Sequence, residues 1–231
     1  MRAAIIPARG GSKRIPKKNI RLFAGKPIIA HSIETAKKSG LFDKIIVSTD
    51  DQEIAETANK FGAETPFIRP PELSDDFTGT HEVVSHAVKW LLDSGMDVQE
   101  VCCIYATAPF IQQQDLVKGL ELLNQGKWGS VFAATRFTYP IFRSFSIQEN
   151  GGVKMFFPEH FNSRSQDLPE AVHDAGQFYW AHTKAWLEPS KGFGDSTTVV
   201  LLPSWRVLDI DTVDDWHHAE LIFKVLEQEK E

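Results

Sequence analysis

The chain has 231 residues, 42% hydrophobic and 11% aromatic, with 25 Lys/Arg against 31 Asp/Glu and a formal net charge of −6. These values exclude disordered, collagen-like and coiled-coil classes and predict a single domain over residues 1–231 with its own core. No stretch reaches the roughly 20 apolar residues that cross a bilayer, the apolar run before Pro7 is too short for a signal peptide, and the adjacent Cys102 and Cys103 form neither a disulfide framework nor a zinc spacing, so the chain is expected in the cytoplasm.

In chain order, residues 3–8 (AAIIPA) read as a buried strand that feeds a glycine-rich loop. Helical spacing of Ile28, Ile29, Ile33 and Ala36 after Pro27 predicts a helix stopped at Gly40. Residues 44–49 (KIIVST) predict a second strand, 52–61 a helix closed by Gly62, and 65–68 a third strand before Pro70-Pro71. A helix over 80–92, a strand over 101–106, a helix over 115–123 and a strand over 130–134 follow. Strands alternating with helices of this length indicate βαβ units and a mainly parallel sheet with helices on both faces. Ligands of such sheets sit beyond the carboxyl ends of the strands, where the loop of Arg9 must lie.

The rhythm then breaks. Seven aromatics fall between Phe137 and Phe161, around Asn150-Gly151-Gly152, which predicts a hairpin excursion. Its aromatic residues form either a satellite core or an exposed association surface. Residues 177–181, 197–202 and 207–210 read as later strands. A terminal helix over 213–228 presents Trp216, Ala219, Phe223 and Leu226 on one face.

Charge is unevenly spread. Residues 1–33 hold eight Lys/Arg and no acid; the other 198 residues carry 17 Lys/Arg against 31 acids, a net of −14. A concentrated positive segment in an acidic chain predicts a local anion site, not general nucleic-acid binding. Within Arg9-Gly10-Gly11-Ser12-Lys13-Arg14-Ile15-Pro16-Lys17-Lys18-Asn19, the glycines permit close backbone approach and positive φ. Arg9 can grip two phosphate oxygens as a fork, with Lys13 and Lys18 as point charges. Neither GxxxxGK[ST] nor GxGxxG is present. Far along the chain, Asp209-Ile210-Asp211-Thr212 would place both carboxylates on one side of a strand with Ile210 inward. Two such carboxylates suit Mg²⁺, which accepts one or two of them plus phosphate oxygens and water. The alternative is that Asp211 or Thr212 caps the terminal helix. Thr80 and Thr107 fall at the edge where the ligand belongs, or serve as caps. Cys102-Cys103 read as structural, and His217-His218 as the exposed flank of a helix.

Ala8-Arg9-Gly10-Gly11-Ser12-Lys13-x-Ile15-Pro16-x-Lys18-Asn19, then Val47-Ser48-Thr49-Asp50, Arg69-Pro70-Pro71-Glu72-Leu73 and Asp209-Ile210-Asp211-Thr212, resemble the CMP-sialic acid synthetase (acylneuraminate cytidylyltransferase) family over nearly the whole chain. Within it the chain looks closest to the pseudaminic acid branch. Arg14 stands where the sialic acid enzymes commonly have Gly, and Tyr105-Ala106-Thr107-Ala108-Pro109-Phe110 replaces their usual Gln-Pro-Thr-Ser-Pro-Leu. The resemblance implies a Rossmann-like α/β nucleotide-diphospho-sugar transferase fold, with a dimerisation arm inserted at about 137–175 that completes a partner's site in a homodimer.

It further implies that CTP is held by Ala8, Arg9, Gly10, Gly11, Ser12, Lys13, Asn19, Thr80 and Thr107. Lys18 closes on the phosphates, Mg²⁺ sits on Asp209 and Asp211, and Arg164, Gln166 and Tyr179 lie toward the sugar. The implied reaction transfers CMP from CTP to the anomeric hydroxyl of a nine-carbon α-keto sugar acid, pseudaminic acid first, with Arg9, Lys13, Lys18 and Asp211 as the catalytic groups. The acceptor proton goes to Asp211 or to a metal-bound hydroxide. The rivals are N-acetylneuraminic or legionaminic acid as acceptor, a DxD glycosyltransferase, and a non-catalytic nucleotide- or RNA-binding module. The last would need aromatics interleaved with the basic run, where only Phe23 is near. No nucleic-acid or membrane partner is expected.

Overall fold

The computed structural model describes residues 1–189 and 192–228. Its central sheet has six strands: β1 (Arg2–Pro7), β4 (Lys44–Ser48), β5 (Glu100–Ile104), β6 (Ser130–Arg136), β9 (Val172–His182) and β10 (Thr197–Leu202). They lie in the order β10-β6-β9-β5-β1-β4. Pairs β10–β6, β5–β1 and β1–β4 are parallel, whereas β9 runs antiparallel to both of its neighbours. Between them come the short ribbon β2 (Leu22–Phe23) with β3 (Lys26–Pro27), the hairpin β7 (Phe145–Ile147) with β8 (Val153–Met155), and six helices among the described residues. The helices are α1 (Ile28–Ser39), α2 (Gln52–Lys60), α3 (Thr80–Asp93), α4 (Gln113–Leu123), α5 (Thr183–Leu187) and α6 (Val213–Gln228).

The apolar runs of β1 and β5 are covered on both sides, as expected of central parallel strands. Alternation splits them. Ala4, Ile6 and Cys102 enter a core with α1, α2 and α4, while Ala3, Ile5 and Cys103 enter one with α3 and α5. Both thiols are fully buried, and burial raises their pKa, so each is an inert packing group. A third core joins Ile15, Phe23 and Ile28 to Phe110, Ile210, Trp216 and Ala219, tying the N-terminal loop to α6. Gly40 ends α1 at φ 65°, a left-handed cap that a side chain would disfavour.

Two expected strands are absent. Residues 65–68 form no ladder: an isolated bridge joins Ile46 to Glu64 just before them, and Pro66 then lacks the N–H that would continue it. Residues 207–210 join no neighbouring strand, and the Ile210 carbonyl accepts from Lys18 Nζ at 2.8 Å instead. Conversely, β9 starts five residues earlier than the apolar run predicts, through exposed Val172-His173-Asp174.

The excursion leaves β6 and returns into β9, closed at its base where Phe137 N–H donates to Ala171 O at 3.1 Å. Inside it, Phe142 packs against Phe157 and His160, each at 5.3 Å between ring centroids. Outside, Phe145, Phe156 and Phe161 are exposed, and Tyr139 and Ile147 are 81% and 78% accessible. The aromatic run therefore makes a small satellite core and an open apolar surface together.

Candidate active site

Because β1, β4 and β5 are parallel, their carboxyl ends deliver the Arg9 loop, Asp50 and Tyr105-Ala106-Thr107 to one edge of the sheet. There Arg9 and Tyr105-Ala106-Thr107 line an open pocket of about 360 Å³, together with Ser12, Lys13, Lys18, Asn19, Arg69 and Thr80.

The loop geometry differs from the sequence expectation in two ways. Neither Gly10 nor Gly11 has positive φ. Gly10 is required for room: a Cβ there would lie 2.7 Å from Asp51 Oδ2 and 2.9 Å from its Cβ. Its N–H donates to Asp50 Oδ1 at 3.0 Å, so it is engaged internally instead of facing the pocket. Positive φ belongs to Lys17, at 53°, which turns the chain into a short 3-10 turn at Lys18–Ile20. That turn aims Lys18 across the pocket and buries Asn19, whose Nδ2 donates to Arg9 O at 2.9 Å. Ala8 is buried beneath the loop.

The cations already have partners. Arg9 Nη1 donates to Asp75 O and pairs with Asp76 Oδ1, both at 2.8 Å, and Lys13 also pairs with Asp76. Lys13 and Arg9 hold the Asp76 carboxyl below its ordinary range. Lys18 Nζ lies 3.2 Å from Asp211 Oδ1, and Arg14 Nη2 lies 2.7 Å from Asp211 Oδ2. Arg69, only 3% exposed, donates through Nη1 to Ser48 O at 3.2 Å and through Nε to Ser74 Oγ at 3.1 Å. A buried guanidinium behind the pocket adds positive potential that a triphosphate would meet.

Residues 209–211 keep the predicted alternation without being a strand: Ile210 is buried, and Asp209 and Asp211 face outward. Burial first, then the neighbouring Asp211 charge, raises the Asp209 pKa. A divalent cation would relieve that repulsion. No group of three or more His, Cys, Asp or Glu arranged to hold a metal exists among the described residues. Two carboxylates completed by substrate phosphate and water match Mg²⁺ in donor type and number. The expected capping also occurs, through Thr212 and Asp215: Asp215 N–H donates to Thr212 Oγ1 at 3.2 Å, and Asp215 Oδ2 accepts from Thr212 N–H at 2.7 Å. The segment is anchored by Arg206, whose guanidinium forks onto buried Asp115 at 2.5 and 3.0 Å.

A second, larger cavity of about 610 Å³ adjoins the first and shares Thr80 and Tyr105 with it. Rings make up much of its wall, among polar residues that include Ser130, Asp174, Lys184 and Thr197. Phe132 stacks on Phe193 at 4.2 Å and faces Tyr179 at 6.0 Å, and Trp186 packs on His81 at 5.5 Å. Tyr179 is therefore in this cavity, donating its hydroxyl to Asp174 Oδ2 at 2.7 Å. Arg164 and Gln166 are not. They sit exposed on the excursion, with Arg164 Nε paired to Asp167 at 2.7 Å, and line neither cavity. Sequence reasoning passed over Asp76, Arg206 and the aromatic residues Phe132, Trp186 and Phe193. It quoted Arg69 and Tyr105 only within motifs, although both border the site.

Residues 3–166 match the sequence family described as Cytidylyltransferase. A Campylobacter jejuni protein named pseudaminic acid cytidylyltransferase is 49% identical over 221 residues, covering 96% of this chain and 95% of that one. The Legionella pneumophila CMP-N,N'-diacetyllegionaminic acid synthase is 34% identical, with 96% of each chain covered. The solved structure of a CMP:2-keto-3-deoxy-manno-octonic acid synthetase complexed with CTP shares the fold, with a TM-score of 0.70 over 99% of both chains at 16% identity.

Proposed function

The chain belongs to the cytidylyltransferase family and is a CTP-using nucleotidyltransferase, and from that premise we propose that its reaction is CTP + pseudaminic acid → CMP-pseudaminic acid + pyrophosphate. The observation that carries the choice of acceptor is the 48–49% identity to two pseudaminic acid cytidylyltransferases across 96% of this chain. The identity falls to 34% for the legionaminic acid enzyme and to 33–34% for fish N-acylneuraminate cytidylyltransferases.

In this reading the charged pocket takes CTP and the aromatic cavity takes the sugar acid. The anomeric oxygen attacks the α-phosphorus; the new O–P bond forms as the bond to the β-phosphate oxygen breaks, and the hydroxyl proton passes to the Asp211 carboxylate. Such a transfer needs positioning and charge stabilisation more than covalent catalysis. Arg9, Lys13 and Lys18 exchange their present carboxylate and carbonyl partners for phosphate oxygens and so stabilise the departing pyrophosphate. Ser12 and Asn19 hold the loop and nucleotide, and Thr80, at the start of α3, and Thr107, after β5, border the nucleotide. Asp209 and Asp211 would hold Mg²⁺, which supplies neutralising positive charge to the phosphates.

The same reading takes residues 1–231 as one catalytic domain and 137–175 as a dimerisation arm. The exposed Phe145, Ile147, Phe156 and Phe161 support an apolar contact with a second copy. That contact would carry Arg164 and Gln166 to the partner's acceptor cavity. A cytoplasmic site of action fits the absence, among the described helices, of any long and apolar enough to cross a membrane. Pyrophosphate release, measured for each nucleoside triphosphate against pseudaminic, legionaminic and N-acetylneuraminic acids, tests the proposal. CTP with pseudaminic acid should be the preferred pair, and preference for N-acetylneuraminate would overturn it.

A further inference from the structure

Tyr105 and Thr80 are the two residues common to both cavities among their described lining residues. Tyr105 follows the last residue of β5, so its position is set by the central sheet and not by a surface loop; its N–H donates to Gln177 O at 2.9 Å. Its hydroxyl shares a hydrogen bond of 3.1 Å with Thr80 Oγ1, the other residue common to both cavities. Its ring lies 5.4 Å from the Tyr179 ring, on the acceptor side. Tyr179 is held in turn by Asp174, whose Oδ1 accepts from Gly176 N–H at 2.8 Å. Two phenols thus stand side by side, each held through its hydroxyl by a hydrogen bond.

We propose that Tyr105 is an acceptor-selecting residue: its ring closes the inner end of the aromatic cavity, so that the cavity favours a sugar acid whose substituents are methyl-bearing over one with a free polyhydroxyl tail. The proposal rests on the assignment of this cavity to the acceptor. Ring faces offer no hydrogen-bond partner to a hydroxyl brought out of water, so a tail hydroxyl set against the Tyr105 ring loses more than it regains. Acetyl and methyl groups meet the same surface favourably. Pseudaminic acid carries a second acylamino group and a terminal methyl where N-acetylneuraminic acid carries hydroxyls. A side-chain amide at this position would offer both a donor and an acceptor to such a tail. An apolar pocket rejects an added hydroxyl by about 100-fold at most, which bounds the effect.

The test uses the full chain and three variants: Tyr105→Gln, Tyr105→Leu and Tyr105→Phe. Pyrophosphate release gives kcat/KM for pseudaminic and N-acetylneuraminic acids. Tyr105→Gln should compress the wild-type preference for pseudaminic acid by about 10- to 100-fold. Tyr105→Leu, apolar but without a ring, should compress the preference by at least about tenfold, giving a second reading should the glutamine variant not fold. Tyr105→Phe keeps the ring and should hold the preference within about threefold. An unchanged preference in Tyr105→Gln or Tyr105→Leu overturns the proposal, as does a loss in Tyr105→Phe equal to theirs. Wild-type preference for N-acetylneuraminate would instead overturn the functional assignment, independently of any variant.

Discussion

The two adjoining cavities are built on opposite principles. In the smaller, Arg9, Lys13, Arg14, Lys18 and Arg69 each face an acidic side chain, with Asp76, Asp211 and Asp50 serving as the partners. In the larger, Phe132, Phe193, Tyr179 and Trp186 present ring faces. The first can bind only by exchanging one set of ionic partners for another, so its affinity depends on charge count and salt. The second binds by displacing water from apolar surface, so its selectivity depends on shape and on which polar groups are left unpaired.

Variants that remove a charge and variants that remove a ring should therefore separate cleanly. The largest effect is expected from Asp211→Asn, which should cut kcat at saturating Mg²⁺ by at least about 100-fold, while the thermal midpoint of the free protein moves little. Near-normal turnover would remove Asp211 from the chemistry. Next, Arg9→Ala should lower kcat/KM for CTP by about 100-fold, about 2.7 kcal/mol of transition-state stabilisation; an unchanged value would break the assignment of the charged pocket to the nucleotide. On the aromatic side, Phe193→Ala should raise KM for the sugar acid by about 5- to 10-fold with KM for CTP unaltered. Equal changes in both constants would show that the cavities are not separate binding sites. Smallest is Asp76→Asn, which frees Arg9 and Lys13 from an exposed competitor and should lower KM for CTP by about two- to fivefold. A rise there would make Asp76 a contributor to nucleotide binding instead.

The same contrast governs what could be read from the chain. The charged pocket was legible because its cations and glycines are contiguous, from Arg9 to Asn19, and follow a recognisable buried strand. The helices α1 and α6 were legible from apolar periodicity. The aromatic cavity draws on positions 132, 179, 186 and 193, which only the β6–β9–β10 pairing brings together. Nothing local marks Phe132 or Phe193 as more than core. Asp76 was unreadable for the same reason, since it meets Lys13 across 63 positions. The early start of β9 was missed because Val172-His173-Asp174 is exposed and carries no apolar signal, although Asp174 braces Tyr179. The strand expected at 207–210 came from β-branched and apolar residues whose inward side is real and whose ladder is not.

Lys18 meets Asp211 across 193 positions, and the third core binds Ile15 and Phe23 to Ile210 and Trp216 over similar spans. Closing so long a loop carries an entropic cost that only the finished packing repays, and contacts of this separation form slowly. The strands β1, β4 and β5, with their intervening helices, can assemble without it. Refolding should thus pass through chains that have their sheet and their phosphate loop but hold no carboxylate pair in front of it. Recovery of CTP turnover should then trail recovery of far-ultraviolet circular dichroism, and coincident recovery would place the long-range closure early in folding.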